Sequence, residues 1–168
     1  MTHPLVGILM GSDSDFPVME AACQMLDLFD IKYEVLVSSA HRTPKRTSAY
    51  ARTARERGIQ AIIVGAGAAA HLAGVVASET TLPVIGVPID ATSLNGMDAL
   101  YSTVMMPGGI PVATMAIGKA GAKNAGLLIA SMFSMKDATM AGKLQQYRND
   151  MAEQVQAKSD ALQKKLKD

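Results

Sequence analysis

Short runs of aliphatic and β-branched residues recur along the chain, each followed by a polar turn and a stretch with helical spacing. This alternation limits the possible folds more than any other feature. "LVGILM" (5–10) reads as a buried strand, and "FPVMEAACQMLDLF" behind it spaces Met19, Ala22, Leu26 and Phe29 along one helical face. "IKYEVLV" (31–37) alternates as a strand does. A helix then fits between Pro44, suited to a first turn, and Gly58, suited to a stop. "AIIVG" (61–65), "LPVIGVPI" (82–89) and "IPVATMAI" (110–117) read as three more strands, with helices in "HLAGVVASET", "NGMDALYSTVMM" and "AGAKNAGLLIASMF". The pattern predicts an α/β fold with a central parallel sheet of about five strands, covered by helices on both faces.

A length of 168 residues suits a single core, here placed in residues 1–136. The tail at 137–168 differs in kind. Met140, Leu144, Tyr147, Met151, Val155, Leu162 and Leu166 fall three, four or seven apart on an otherwise charged stretch. Such a narrow stripe predicts a long helical arm that packs on a neighbouring subunit and is not a domain of its own. Apolar residues at 49% against 18% charged also point to surface buried between subunits. A net charge of +1 argues against a nucleic-acid partner. No apolar run is long enough to cross a membrane, and the N-terminus lacks the basic and apolar regions of an export signal. One cysteine, Cys23, excludes an internal disulfide and is compatible with a reducing compartment. The expectation is a soluble cytoplasmic protein.

Parallel sheets of this kind place ligands outside the carboxyl ends of their strands. Three polar loops should meet there: "GSDSD" (11–15), "SSAHRTP" (38–44) and "GAGAAAH" (65–71), after strands one, two and three. In the first, Gly11 permits close backbone approach, and Ser12 and Ser14 can donate to a phosphate. Asp13 and Asp15 would repel phosphate but suit the paired hydroxyls of a ribose. Plain helix capping accounts for one of these four polar residues, not all. In the second loop His41 is a candidate acid–base group. Arg42 beside it offers a fork of donors to phosphate or carboxylate. Lys45, Arg46, Arg52, Arg55 and Arg57 beyond it read mostly as a solvated helix face.

The third loop matches G-x-G-x-x-A, and Asp90 ends the next strand where a ribose-binding acid of a dinucleotide site would stand. Against that, two polar loops precede the motif and bulky His71 follows it directly. No length remains for a second domain. His41, His71 and a first-loop Asp have the composition of a two-histidine, one-carboxylate metal site, but no fixed helical spacing supports one, and the expectation is that no metal is bound. "IGKAGAKNAG" lacks the upstream glycine and following Ser/Thr of a P-loop. Cys23 lies in the first helix, away from this edge, and reads as structural.

Taken together, "GSDSD", "SSAHRTP", "GAGAAAHLAG" and "MPGGIPVATMAIGKAGAKNAGLL" resemble the bacterial N5-carboxyaminoimidazole ribonucleotide mutases of de novo purine synthesis. The likeness runs from about Leu5 to Phe133, with the motifs in the family's order. It implies a three-layer α/β/α sandwich of flavodoxin-like or Rossmann-like type, assembled as an octamer with sites built from more than one subunit. It also implies an isomerase that moves a carboxylate from the exocyclic nitrogen of the substrate to ring carbon C4, with no metal, nucleotide cofactor or ATP. By the same resemblance His41 is the proton carrier. Ser12, Ser14, Asp15, Ser39 and Arg42 hold the ribose phosphate, and the third loop, with Gly67 and His71, closes over the carboxylate and imidazole.

That chemistry needs a small apolar cage to retain released CO2, for which Ala40, Ala68, Ala69 and Leu72 are suited. The family pattern Gly-Ala-Gly-Gly-Ala-Ala-His-Leu-Pro-Gly is altered here at Ala68 and Ala73. Animal-type relatives, which carboxylate the unmodified ribonucleotide with free CO2, tend to carry Lys after the loop histidine. Arg42 favours the mutase. A direct carboxylase and a non-catalytic dinucleotide-binding module are the alternatives.

Overall fold

Val6, Gly7, Ile8, Leu9 and Met10 are all buried, so the first strand is covered on both faces, as its unbroken apolar run requires. In the computed structural model, which describes residues 3–167, five strands pair in parallel. They are β1 (Val6–Met10), β2 (Tyr33–Val37), β3 (Ala61–Gly67), β4 (Val84–Ile89) and β5 (Ala113–Thr114), in the order β2-β1-β3-β4-β5. The helices are α1 (Phe16–Leu28), α2 (Pro44–Thr53), α3 (Leu72–Glu79), α4 (Met97–Val104), α5 (Lys119–Ser134) and α6 (Ala138–Lys165).

Side-chain alternation sorts the helices into two layers. Leu9, Ile62, Val64 and Ala66 form one cluster with Tyr50 and Ala51 of α2, Ala73 and Val76 of α3 and Ala99 of α4. Gly65, which points the opposite way from Val64 and Ala66, lies directly against Met19 of α1. On that side Gly126 of α5 approaches α1 so closely that a Cβ there would stand 2.7 Å from Met25 Cβ. The expected three layers are therefore present, with α2, α3 and α4 on one face and α1 with α5 on the other.

The fifth strand departs furthest from its expected extent. Of the eight residues 110–117 only Ala113 and Thr114 pair, with Ile85 and Gly86. Pro111 has no N–H to offer a ladder, and β5 lies at the sheet's edge, where pairing is available on one side only.

The chain divides into two compact units, one ending at Ile129 and the other beginning at Ala130. In the second, Asp137 caps α6 by accepting the amides of Thr139 (2.9 Å) and Met140 (3.1 Å). The expected arm is present as this 28-residue helix, and Met151, Val155, Leu162 and Leu166 along it are exposed. No helix among the described residues is long and apolar enough to cross a membrane.

Candidate active site

Strand register brings the three polar loops level. Met10 stands opposite both Val37 and Gly65, so the chain leaves β1, β2 and β3 at the same height. Two backbone bonds extend this alignment past the strands: the Ser38 amide donates to Met10 O (2.8 Å) and the Gly11 amide to Gly65 O (3.3 Å).

The first loop is ordered by its own polar side chains. Ser12 Oγ accepts the Ser14 amide (3.3 Å) and Asp15 Oδ2 accepts the Ser12 amide (3.1 Å), a reciprocal capping box around a single 3-10 turn at Asp13–Asp15. Asp13 Oδ1 accepts the Ser14 amide and the Ser12 hydroxyl, both at 3.1 Å. Ser14 Oγ donates to Ser12 Oγ (2.9 Å). Asp15 is only 6% exposed. Burial raises its pKa above the ordinary carboxylate value, against the opposing pull of the Ser12 and Gly11 amides.

The second loop is braced from below and folded on itself. Ser38 and Thr47 are buried and share a 2.8 Å hydroxyl–hydroxyl bond, which ties the loop to α2. Thr43 Oγ1 accepts the Ser39 amide and donates to Ser39 O, both at 3.0 Å. Ser39 Oγ accepts the Arg42 amide at 3.2 Å. This wrapping turns Arg42 across to the first loop, where its Nη2 donates to Gly11 O (3.3 Å). It also turns His41 toward the third loop, where His41 Nε2 and His71 Nδ1 lie 2.8 Å apart with the rings edge-to-face at 82°. One nitrogen of that contact must carry the hydrogen and the other accept it.

In the third loop β3 ends at Gly67, where a Cβ would come within 2.6 Å of Ala91 Cβ. A side chain there would fill the floor of the site. Ala68 follows in the left-handed region at φ +53°. His71 precedes α3, and Leu72 is buried beneath it.

These residues wall an open cleft of about 530 Å³ formed by Gly11, Ser12, Ser14, Asp15, Ser39, Ala40, His41, Arg42, Ala66, Gly67, Ala68, Ala69, His71, Leu72 and Ala91. A second hollow of about 320 Å³ shares Gly11, Ser12, Ser39 and Arg42 with it and adds Asp13, Val37, Thr43 and Arg46. Every residue singled out from the sequence as a site candidate lines one hollow or the other, Asp13 only the outer one. Asp90, the acid of the dinucleotide alternative, lines neither; its neighbour Ala91 does. Ala91 went unnoticed because an alanine carries no chemical signal, although its place after β4 put it on the right edge. Thr43 and Thr47 went unnoticed because their role is to brace. Among the described residues no three His, Cys, Asp or Glu side chains gather as a metal site. Cys23 is buried in α1, and burial pushes its thiol pKa up.

Fold and cleft together define an α/β protein of small-molecule chemistry, with an imidazole pair beside a wall of hydroxyls and one guanidinium. A model of the AIR carboxylase family matches residues 5–154, and the chain belongs to that family. It is 57% identical over 160 residues to the N5-carboxyaminoimidazole ribonucleotide mutase of Bacillus subtilis, covering 95% of this chain and 99% of that protein. The protein of the same name from Thermotoga maritima is 54% identical over 160 residues, covering 95% and 92%. The crystal structure of Treponema denticola PurE superposes with a TM-score of 0.85 at 31% identity, covering 95% of this chain and 98% of that one.

Proposed function

We propose that this protein is an isomerase of purine biosynthesis that converts N5-carboxyaminoimidazole ribonucleotide to 4-carboxy-5-aminoimidazole ribonucleotide, acting in the cytoplasm. The observation that carries the reading is the meeting of His41 with His71 at 2.8 Å in a cleft lined otherwise by alanine, glycine and leucine together with Ser12, Ser14, Ser39, Asp15 and Arg42. The names of relatives at 57% and 54% identity support it.

The atoms balance through one histidine. His41 gives a proton to the exocyclic nitrogen as the nitrogen–carboxylate bond breaks, its electron pair staying on nitrogen, and CO2 is released into the cleft. The enamine carbon C4 of the freed aminoimidazole attacks that CO2. The hydrogen at C4 then passes back to His41 as its electron pair returns to the ring. The enzyme ends as it began, and no oxidant, nucleotide or metal enters the sum. His71 engages Nε2 of His41 and so leaves Nδ1 as the ring nitrogen that gives the proton to the substrate and takes one back. The side chains of Ala40, Ala68, Ala69 and Leu72 offer CO2 an apolar wall that makes no hydrogen bond. Ser12, Ser14, Ser39 and Arg42 hold the phosphate, while Asp13 and Asp15 face the ribose. Within the same reading residues 1–136 form the catalytic domain, and residues 137–168 form an arm that joins copies into a homo-oligomer, an octamer by family resemblance.

The test is ultraviolet absorbance of the purified protein mixed with the N-carboxylated substrate in the absence of ATP. Appearance of the C4-carboxylated product supports the mutase. Reaction only of the unmodified ribonucleotide with added bicarbonate would assign the direct carboxylase, the activity the family's description names.

A further inference from the structure

Four arginines, Arg46, Arg52, Arg55 and Arg57, lie on α2 or the turns just after it. Three are engaged. Arg52 pairs with Glu79 (2.6 Å), Arg55 donates to Thr81 (3.0 Å), and Arg57 pairs with Glu34 (2.5 Å) while lying over the Tyr50 ring. Arg46 has no hydrogen-bond or ion-pair partner among the described residues. It is also the one of the four that borders the outer hollow, where it shares a wall with Arg42, Thr43, Ser39, Ser12 and Asp13.

The charge balance of that hollow gives Arg46 a role. Asp13 and Arg42 both line it, and their charges cancel. A phosphate monoester carries close to two negative charges near neutral pH. Against a neutral wall it would gain hydrogen bonds but little net attraction, and Asp13 would oppose it. Adding Arg46 makes the wall positive and places a second fork of donors on the side away from the cleft that holds His41.

We infer that Arg46 is a second phosphate-binding guanidinium, which makes the outer hollow selective for a doubly charged phosphate monoester. This inference rests on the proposed ribonucleotide substrate, since the inner cleft takes the heterocycle and the outer hollow its 5′-phosphate.

The measurement is the dissociation constant, by calorimetry on the full chain, of 4-carboxy-5-aminoimidazole ribonucleotide and of its phosphate-free ribonucleoside. Arg46→Gln weakens the ribonucleotide about tenfold, as expected for loss of one charge-assisted contact, and leaves the ribonucleoside within twofold. Arg46→Lys restores part of the loss. The salt dependence of ribonucleotide binding is shallower in Arg46→Gln than in the parent. Arg46 is exposed, so these variants retain the fold. Equal weakening of both ligands, or of neither, overturns the inference. If the unaltered protein turns over substrate in either of those cases, only the role of Arg46 is lost. If the unaltered protein neither binds nor turns over the ribonucleotide, the functional proposal beneath it fails too.

Discussion

Ala68 holds φ at +53° in the middle of the third loop, a conformation in which its Cβ crowds the backbone and which glycine adopts freely. Ala68→Gly removes that strain, and we expect a gain of about 1 kcal/mol in urea unfolding even after the added freedom of the unfolded chain. A loss of stability would mean that neighbours hold the methyl to advantage. Asp15 lends itself to a titration test. Its folded pKa lies above the ordinary value of 3.8, with burial the leading cause. As pH rises the unfolded chain therefore gives up this proton first. The stability contributed by the carboxyl is complete below 3.8 and is lost as pH climbs through the folded value. Asp15→Asn keeps an acceptor for the Ser12 amide but cannot titrate. As pH rises from 3.8 through the raised folded value the parent should lose stability relative to the variant; parallel curves would show that the amides of Gly11 and Ser12 offset burial in full. For His41→Asn we expect an intact fold and at least a 10²-fold drop in turnover, the usual consequence of losing an acid–base group. Near-normal turnover would remove His41 from the mechanism. His41 and Arg42 could be singled out in the sequence because they are the one imidazole and the one guanidinium in the strand-end loop at 38–44. The left-handed turn at Ala68 and the raised pKa of Asp15 were not, because each depends on what surrounds the residue once the chain is folded.

Close approach between elements places these residues. Gly7 of β1 faces α2, and a methyl there would collide with the Tyr50 hydroxyl. That hydroxyl donates to Glu34 Oε1 (2.7 Å), the same oxygen that accepts Arg57 Nη1, and Arg57 lies 4.6 Å above the ring. Gly7→Ala must therefore push α2 outward or break a partly buried network joining β2 to α2. We expect a loss of about 1–3 kcal/mol in thermal or urea unfolding, the range for overpacking. A change within experimental error would show that Tyr50 can swing aside freely. Elements of this kind announce themselves unevenly. β1, β3 and β4 are buried on both faces and so appear as unbroken aliphatic runs. β5 does not, since residues 110–117, apolar but for Thr114, resemble a strand in composition while Pro111 and an edge position limit the paired strand to Ala113 and Thr114. Gly7 was read as one more member of an apolar run; its purpose appears only when α2 is seen against it.

The apolar stripe of α6 bears on how copies of the chain assemble. Along that helix Leu144, Tyr147, Met151, Val155, Lys158, Leu162 and Leu166 are separated by three, four, four, three, four and four residues. Eleven residues in three turns keep such a stripe nearly straight along the helix, with at most a slight right-handed drift. Leu144 and Tyr147 are half-buried, but Met151, Val155, Leu162 and Leu166 are exposed, Val155 by 67% and Leu166 by 70%, and α6 has no buried residue. A solvated helix gains nothing from an aligned apolar seam, whereas a second surface laid along it would bury each of these side chains at about 25 cal/mol per Å². The open cleft around His41 asks for cover as well, because the proposed mechanism requires that released CO2 not escape before C4 attacks it. We therefore expect the full chain to elute from size-exclusion chromatography as an oligomer, and the protein truncated after Ala138 to elute later as a smaller species. Met151→Lys with Val155→Glu, which keeps the helix but charges the seam, should weaken assembly in the same direction. Unchanged elution of both variants would mean that the arm has no part in joining subunits and that the stripe faces water.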